Sequence, residues 1–291
     1  MKIIQLKNYT PSQMTGFVIV TENKKIIVID GGNTGDTSGF IDRLNRTASE
    51  YECESRINLW LLTHPHDDHY GVFRRFSCMQ RTGQYTLPDV DCFSYYQLPD
   101  EYGRTEHPAL AWQLPELNSE LAATKIPLKP FGKGTTFSFD NLKIEILRVP
   151  NPNITANTIN NASSVIRFTE KRPSHDDFVW LVLGDLGVEG GRELLSMYPG
   201  GELRADAVQM AHHGQNGVDH PVYEAISPRF AFWTTPDWLW TNTLPGQEPG
   251  KGPWATLSVR GWMDEIGAAP IRAAANDLEF DTFTEKIRVL D

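Results

Sequence analysis

The stretch LWLLTHPHDDHYG, residues 59–71, decides how the whole sequence is interpreted. A near-continuous apolar run ends at Thr63, and three histidines and two aspartates follow between His64 and His69. An apolar run without polar alternation is typical of a strand that is covered on both of its faces. Open α/β sheets form their sites beyond the carboxyl ends of such strands. We therefore expect a polar site at the end of this strand.

The spacing of these side chains suits metal ions. His64 and His66 are two residues apart, and alternate residues of an extended segment point to the same side, so both imidazoles can meet one ion. Asp68 and His69 follow where the chain turns toward a helix and can face a second ion, whereas Asp67 should point elsewhere. Imidazole and carboxylate ligands together suit Zn²⁺, with Mn²⁺ or iron as alternatives. The competing interpretation is a solvated, helix-capping polar cluster, and three histidines at this spacing disfavour it.

The composition is that of an ordinary globular chain, and its charge limits the partners. The 291 residues carry a formal net charge of −10, which argues against a broad basic surface for extended nucleic acid without excluding a small basic patch. No apolar run reaches about 18 residues, so no membrane-spanning helix is predicted. Three cysteines without a CxxC pair indicate reduced thiols and hence a cytoplasmic protein. The sequence does not indicate an oligomeric state.

Strand-like and helix-like segments follow one another in two halves of the chain. The first half has three strand patterns, a helical pattern over residues 37–51 and the apolar run before His64. The second half has four strand patterns between residues 135 and 185, followed by two helical patterns and further strands. That order predicts an α/β fold of two packed sheets flanked by helices, within a single domain of residues 1–291. Prolines punctuate residues 80–131, which we expect to form an insertion or lid over the site.

Four motifs, in order along the chain, resemble those of the metallo-β-lactamase superfamily. The pattern at residues 64–69 resembles the HxHxDH signature, and IIVIDGGN at 26–33 resembles the strand that ends in Asp-x-Gly. WLVLGDLG at 180–187 is similar to the strand that delivers a metal-bridging aspartate, and AVQMAHHGQNG at 207–217 to the late histidine motif. The resemblance spans roughly residues 14–240. It implies a four-layer αββα sandwich with a one- or two-metal hydrolytic site at one edge.

The same resemblance implies a set of metal ligands. A first Zn²⁺ would be held by two histidines and a bridging aspartate, and a second by an aspartate, a histidine, the same bridging aspartate and one late histidine. The adjacent histidines of the late motif cannot be told apart by sequence, and the one that does not bind metal could donate a proton. The residues with catalytic roles would be Asp68, Asp185, His212 and His213. The metal ligands would come from His64, His66, Asp68, His69, Asp185, His212 and His213.

The sequence departs from most of the superfamily in one region. A loop before the Gly-Asp strand normally supplies a third histidine to the first metal, but NPNITANTINNASSVIRF, residues 151–168, contains none. This pattern is similar to a subgroup that holds the hydrolase domain of the ComEC DNA-uptake proteins and the pneumococcal phosphorylcholine esterase. Asn161 and Ser163 either line the vacated position or belong to a simple turn.

The predicted chemistry is hydrolysis by a hydroxide that bridges two metal ions. A site with fewer histidines and more carboxylate leaves an open position that suits phosphate oxygens. We therefore expect a phosphodiester or another phosphate ester, carried by a small or nucleotide-like molecule rather than by extended nucleic acid. The alternatives are a lactone, carboxylic ester or β-lactam as substrate on the same site, or a metal-bound binding protein without catalysis.

Aromatic residues crowd the region after the late histidines. They either form a wall that stacks a base or encloses a quaternary ammonium, or they belong to the core and to subunit contacts. His107 and His220 each precede a proline, and we expect both in loops, with His220 close enough in sequence to reach the site. The aromatic set comprises Phe230, Phe232, Trp233, Trp238, Trp240 and Trp254.

Overall fold

The computed structural model of this protein describes residues 1–83, 86–105 and 108–291. These residues form strands that are numbered here in chain order. They are β1 (Lys2–Gln5), β2 (Gly16–Val20), β3 (Ile26–Asp30), β4 (Arg56–Ile57), β5 (Leu59–Leu61), β6 (Asp89–Val90), β7 (Phe93–Tyr95), β8 (Leu128–Pro130), β9 (Thr136–Phe139), β10 (Leu142–Arg148), β11 (Val165–Glu170), β12 (Phe178–Val182), β13 (Ala207–Gln209), β14 (Phe230–Phe232), β15 (Ala269–Ile271), β16 (Asp277–Asp281) and β17 (Lys286–Leu290).

The α-helices are numbered in the same way, and short 3₁₀ helices lie at Thr34–Asp36, Asp100–Thr105, Asn160–Ala162 and Ala211–Gly214. In the described part of the chain, no helix is long and apolar enough to cross a membrane. The α-helices are α1 (Thr37–Glu50), α2 (Asp67–Thr82), α3 (Gln113–Ala123), α4 (Val188–Met197), α5 (His220–Ile226), α6 (Asp237–Trp240) and α7 (Thr256–Ile266).

Two large sheets carry the fold. The first has eight strands in the order β17–β16–β1–β2–β3–β5–β7–β8, and the second has seven in the order β15–β14–β13–β12–β11–β10–β9. β3, β5, β7 and β8 run parallel to one another, as do β12, β13, β14 and β15, whereas the remaining pairs in both sheets are antiparallel. Each sheet therefore has a parallel half whose strand ends can share a site.

The sheets pack face to face, with helices outside them. Phe17 of the first sheet contacts Trp180 of the second, with ring centroids 5.1 Å apart, in the core between the sheets. Phe40 of α1 stacks at 5.3 Å on Trp60, in the core between the first sheet and its helices. Leu194 of α4 lies in a third core, outside the second sheet. The predicted four-layer αββα sandwich is confirmed.

The predicted insertion at residues 80–131 is in part a component of the first sheet. β7 pairs in parallel with β5, and β8 pairs with β7 as the last strand of that sheet. Pro127 directly before β8 and Pro130 at its end disfavour a strand in the sequence, but an edge strand tolerates proline because one side of it needs no ladder hydrogen bond. The prediction of a lid therefore applies only to the connection between β7 and α3, since β7 and β8 belong to the first sheet. His107, which the sequence places in this connection, lies outside the described residues.

Candidate metal centre

The predicted ligands meet where strands of both sheets end. β5 of the first sheet leads into the turn that carries His64 and His66, and α2 begins directly afterwards. β12 and β13 of the second sheet lead to Asp185 and to the 3₁₀ helix that carries His213. Carboxyl ends of neighbouring parallel strands lie at one edge, so both sheets deliver polar side chains to the same place.

A first group of ligand atoms is formed by His64, His66 and Asp185. Nε2 of His64 lies 3.1 Å from Nδ1 of His66 and 3.9 Å from Oδ2 of Asp185, and all three side chains are buried. Zinc–nitrogen and zinc–oxygen bonds of about 2.0–2.2 Å in a tetrahedron place neighbouring ligand atoms about 3.3 Å apart. These three side chains could therefore hold one ion and leave a fourth position open.

A second group is formed by Asp68, His69, Asp185 and His213, whose ligand atoms all lie within 4.8 Å of one another. Nε2 of His213 is 3.0 Å from Oδ2 of Asp68 and 3.3 Å from Oδ2 of Asp185. Nε2 of His69 is 3.2 Å from Oδ1 of Asp185. Asp185 is common to both groups, so one buried carboxylate could contribute to the binding of two neighbouring cations.

Hydrogen bonds on the far side of the imidazoles fix which nitrogen faces the centre. Nδ1 of His69 lies 2.7 Å from Oδ2 of Asp30, and Nδ1 of His213 lies 3.0 Å from the carbonyl oxygen of Thr234. In both rings Nδ1–H donates outward, which leaves Nε2 directed at the centre. Asp30 also accepts hydrogen bonds from the backbone N–H and the hydroxyl of Thr63, each at 2.8 Å. The first sheet thus orients a ligand through a carboxylate at the end of β3.

The donor set fits a divalent cation. Both oxygens of Asp185 are buried and accept no well-formed hydrogen bond from the described residues, and Nε2 of His69 also lacks one. A buried carboxylate left in this way costs several kcal/mol unless a positive charge lies beside it. Burial lowers the pKa of His213, but the carboxylates of Asp185 and Asp68 outweigh it and raise that pKa to about 9. The cluster therefore attracts positive charge, which metal ions would supply in place of protons if they were bound here.

The structure separates the two late histidines that sequence could not. The His213 side chain is fully buried within the second group, whereas that of His212 is 18% exposed and its Nε2 lies 3.9 Å from Oδ2 of Asp185. Both residues have left-handed backbones, with φ of 51° and 54°, and Gly214 follows with φ of 78°. Strain of this kind persists only where surrounding contacts hold it. His212 therefore lies at the rim of the centre, outside the ligand groups formed by the described residues.

Other candidates from the sequence have structural roles. Asp67 points away from the centre and forms two hydrogen bonds with the Gln113 side chain. The backbone N–H of Asp67 donates to Oε1 of Gln113 at 3.2 Å, and Oδ1 of Asp67 accepts from Nε2 of Gln113 at 3.0 Å. Oδ1 of Asn161 accepts hydrogen bonds from the N–H groups of Gly187 and Gly190 at the start of α4. Ser163 Oγ accepts one from the N–H of Asp185 at 2.8 Å, so it positions the bridging aspartate.

One contact to the ligands has no signal in the sequence. Nε2 of Gln13 donates to Oδ2 of Asp68 at 3.1 Å, and Asn33 holds the Gln13 carbonyl oxygen at 2.7 Å. Nothing in the pattern before β2 marks a glutamine as a neighbour of a ligand. Asp30, in contrast, could have been assigned its role, because an acidic residue directly after a buried strand faces the same edge as the HxHxDH turn.

The aromatic set divides into core and rim. Phe232 and Trp233 are buried, and Trp240 packs edge-on against Trp233 at 5.2 Å. Trp238 and Trp254 are only half-buried and contact each other, with ring centroids 4.9 Å apart. The core interpretation therefore applies to Phe232, Trp233 and Trp240. The core does not account for Trp238 and Trp254, which remain partly exposed.

His220 does not lie in a loop or at the centre. It is the first residue of α5, where the following Pro221 favours a helix start because its fixed φ suits the first turn. Its ring stacks on Trp262 at 5.4 Å. The expectation of a loop was wrong for this reason.

Comparisons with known proteins show similarity to the metallo-β-lactamase superfamily in part of the sequence and in the fold. The sequence model described as "Metallo-beta-lactamase superfamily" matches residues 10–77, which include the HxHxDH motif. A comparison with curated proteins gives no match. Among solved structures, the metallo-β-lactamase fold protein YhfI from Bacillus subtilis covers 94% of this chain and 96% of its own, with a TM-score of 0.53 and 10% identity. At that identity the likeness shows the fold alone.

Two metallo-β-lactamases are less similar to the chain. A motif variant from Cronobacter sakazakii has a TM-score of 0.45 at 11% identity and covers 70% of this chain and 75% of its own. MEM-A1, a subclass B3 enzyme from a soil metagenome library, has a TM-score of 0.44 at 13% identity and covers 69% and 74%.

Proposed function

We propose that this protein is a metal-dependent hydrolase that acts on a phosphodiester or another phosphate ester. The observation that carries the proposal is Asp185, a buried carboxylate shared by two groups of ligand atoms, with no hydrogen-bonded proton donor among the described residues. Two divalent cations in such a site would lower the pKa of a water molecule toward ~7 and polarise the phosphoryl oxygen under attack. We take Zn²⁺ as the first candidate, with Mn²⁺ or iron as alternatives, because the ligands are imidazoles and carboxylates.

The side chains have distinct tasks in this proposal. His64 and His66 would hold the first cation, and Asp68, His69 and His213 the second. Asp185 would face both and orient the attacking water from its two oxygens. Each of these groups is held in the folded protein before substrate arrives, so little reorganisation is needed as charge develops.

His212 is the candidate proton donor to the leaving oxygen. Its ring is partly exposed at the rim, and its Nδ1 lies 3.3 Å from the carbonyl oxygen of Asn216. If Nδ1–H donates to that carbonyl, Nε2 is the atom that faces substrate and can carry the second proton. A general acid in this position contributes typically about 10²-fold or more to the rate.

The absence of a third histidine from the first ligand group, among the described residues, favours a phosphate ester as the substrate. Two histidines and one shared carboxylate, without a third imidazole, leave an open position on a divalent cation, and phosphate oxygens suit that position. The missing third histidine also supports kinship with the ComEC-hydrolase and phosphorylcholine-esterase subgroup. We further propose that the protein acts in the cytoplasm, since Cys53, Cys78 and Cys92 are all free thiols.

Purified protein loaded with Zn²⁺ or Mn²⁺ tests the proposal. Metal content by mass spectrometry should approach two ions per chain, and bis-(p-nitrophenyl) phosphate should be hydrolysed in preference to an aryl lactone and a chromogenic β-lactam. Asp185→Asn should abolish turnover and reduce the metal content, whereas Asp67→Asn should do neither. Preferential lactone or β-lactam turnover would replace the phosphate class. Bound metal without any turnover would instead indicate a binding protein.

A further inference from the structure

Trp238 and Trp254 form a half-exposed aromatic pair that the fold itself does not explain. The largest buried tryptophans, Trp60, Trp180 and Trp233, are at most 1% exposed and lie inside the cores. Trp238 and Trp254 instead meet at 4.9 Å with their ring planes inclined by 56°, so they form a corner. A corner of two indoles presents flat apolar faces to whatever lies beside it.

That corner borders an open cavity of about 600 Å³. The rest of the cavity wall comes from residues 237–247, which follow β14 and the late histidine motif. The carboxylate of Asp237 is paired with Arg272, so the wall offers no unpaired acidic group from that residue. With that carboxylate neutralised, a cation in the cavity would be held by the indole faces alone, so we take a neutral ring as the first candidate and a quaternary ammonium as the alternative.

Two short connections tie the corner to the metal centre. The Trp238 indole N–H donates to the carbonyl oxygen of Pro11 at 3.1 Å, and Gln13, two residues further on, donates to Asp68 at 3.1 Å. Pro11 and Gln13 are separated only by Ser12, so their Cα atoms lie at most about 7 Å apart. The corner is thus fixed to the segment that holds one of the metal ligands.

The second connection runs through Trp254. The next residue, Ala255, donates its N–H to Oδ1 of Asn216 at 2.9 Å, and the carbonyl oxygen of Asn216 lies 3.3 Å from Nδ1 of His212. His212 is the histidine at the rim of the centre. Hydrogen-bonded neighbours therefore link Trp238 to Asp68 and Trp254 to His212, which places the corner near the centre on these two sides.

We propose that Trp238 and Trp254 form a subsite for a planar aromatic group of the substrate, of the kind a nucleobase provides. The inference rests on the proposed function, since it assigns the part of a phosphate ester that does not react. Stacking on a tryptophan face requires no specific hydrogen bond and is available to every base, which matches a wall with few free polar groups. Binding energy gathered there would hold the phosphate at the metal centre.

Equilibrium binding to the metal-loaded protein tests this directly, by calorimetry and by quenching of tryptophan fluorescence. The probes are adenosine 5′-monophosphate and ribose 5-phosphate, which differ by the ring alone, and phosphocholine as the cationic alternative. We expect the adenosine monophosphate to bind about tenfold more tightly than ribose 5-phosphate. That advantage should disappear in Trp254→Ala and largely return in Trp254→Phe, while ribose 5-phosphate binds all three proteins equally.

Phe283→Ala is the matched control, because Phe283 is 55% exposed on the turn between β16 and β17 and should change none of these affinities. Thermal unfolding of each variant guards against a folding defect, and Trp254→Phe keeps the test valid if Trp254→Ala does not fold. Equal binding of the two ribose ligands to the wild-type protein would overturn the subsite and leave the phosphate chemistry standing. A larger Trp254-dependent gain for phosphocholine would overturn the nucleobase assignment. Failure of every phosphate probe to bind would remove the proposed function and this inference with it.

Discussion

Asp30 and His69 form a fully buried pair in which Oδ2 of the aspartate lies 2.7 Å from Nδ1 of the imidazole. Asp30 does not need to touch a metal for the pair to matter, because its hydrogen bond fixes the His69 tautomer and directs Nε2 of His69 at Asp185. The pair joins the end of β3 to the first turn of α2, so the first sheet sets the orientation of a ligand carried by a helix.

Asp30→Asn should weaken Zn²⁺ affinity about 10- to 100-fold, since an amide cannot accept the Nδ1–H and Thr63 bonds as a carboxylate does. Competition with a coloured chelator measures the change. Asp67→Asn is the control, because Asp67 lies in the same turn but bonds to Gln113. Equal affinities for the two variants would contradict the orienting role of Asp30.

His213→Ala and His212→Ala should separate metal binding from proton transfer. We expect His213→Ala to lose about one of two bound cations, because its Nε2 belongs to the second ligand group. His212→Ala should keep its metal content and lose about 10²-fold in kcat, since its ring lies at the rim. Metal analysis and steady-state kinetics on one preparation check both. A loss of metal in His212→Ala would reverse the assignment.

Gly214→Ala should damage the centre through its backbone. A Cβ at this position would lie 2.3 Å from ring atoms of the buried Trp233, and φ is +78°. Gly246 has nearly the same φ, +79°, but nothing lies within 4 Å of its Cβ position. Gly246→Ala should therefore cost only the strain of the left-handed backbone, about 1 kcal/mol. Gly214→Ala should cost more and also weaken metal binding, as urea unfolding and chelator competition would measure.

Asn161→Ala should lower the free energy of unfolding by about 1–3 kcal/mol. The buried amide of Asn161 accepts two N–H bonds at the start of α4 and donates to the carbonyl oxygen of Ala156 at 2.8 Å. Asn153→Ala, in an exposed part of the same loop, should change stability by less than about 0.5 kcal/mol. If Asn161→Ala instead removed metal at unchanged stability, its side chain would belong to the vacant ligand position after all.

Chelation should destabilise the protein without abolishing its fold, because the three cores do not depend on the cations. Holding free Zn²⁺ at about 100 times its Kd should stabilise the native state, relative to the chelated protein, by about 2.7 kcal/mol for each ion bound. Calorimetric melting with and without chelator, and after Zn²⁺ is restored, measures the difference. A melting temperature that does not respond to Zn²⁺ would contradict a metal centre in the folded chain.

The sequence predicts those features of the fold that rest on local periodicity. The apolar run before Thr63 and the helical spacing of Phe40 and Leu44 each specify an element without reference to distant residues. β8 escapes prediction because Pro130 at its end and Pro127 before it disfavour a strand, and only the place of β8 at the sheet edge makes them acceptable.

In the candidate centre, too, some features follow from local sequence and others depend on tertiary packing. The turn at 64–69 places its ligands by local spacing, so their grouping could be anticipated. His212 and His213 are adjacent, and the difference between them is decided by three consecutive left-handed residues and by Thr234, which lies 21 positions away in sequence. Gln13 reaches Asp68 across 55 positions. Contacts of this kind depend on tertiary packing, which no local pattern encodes.

The hairpin of β16 and β17 has a consequence for how the chain acquires its structure. It follows the whole second sheet in sequence, yet it pairs with β1 and completes the first sheet, where Lys2 lies opposite Asp281. Pairings between such remote segments form slowly, because a long loop must close before they gain any contact energy. During synthesis the flank of β1 therefore stays an open template for misassociation until residues near 280 emerge from the ribosome.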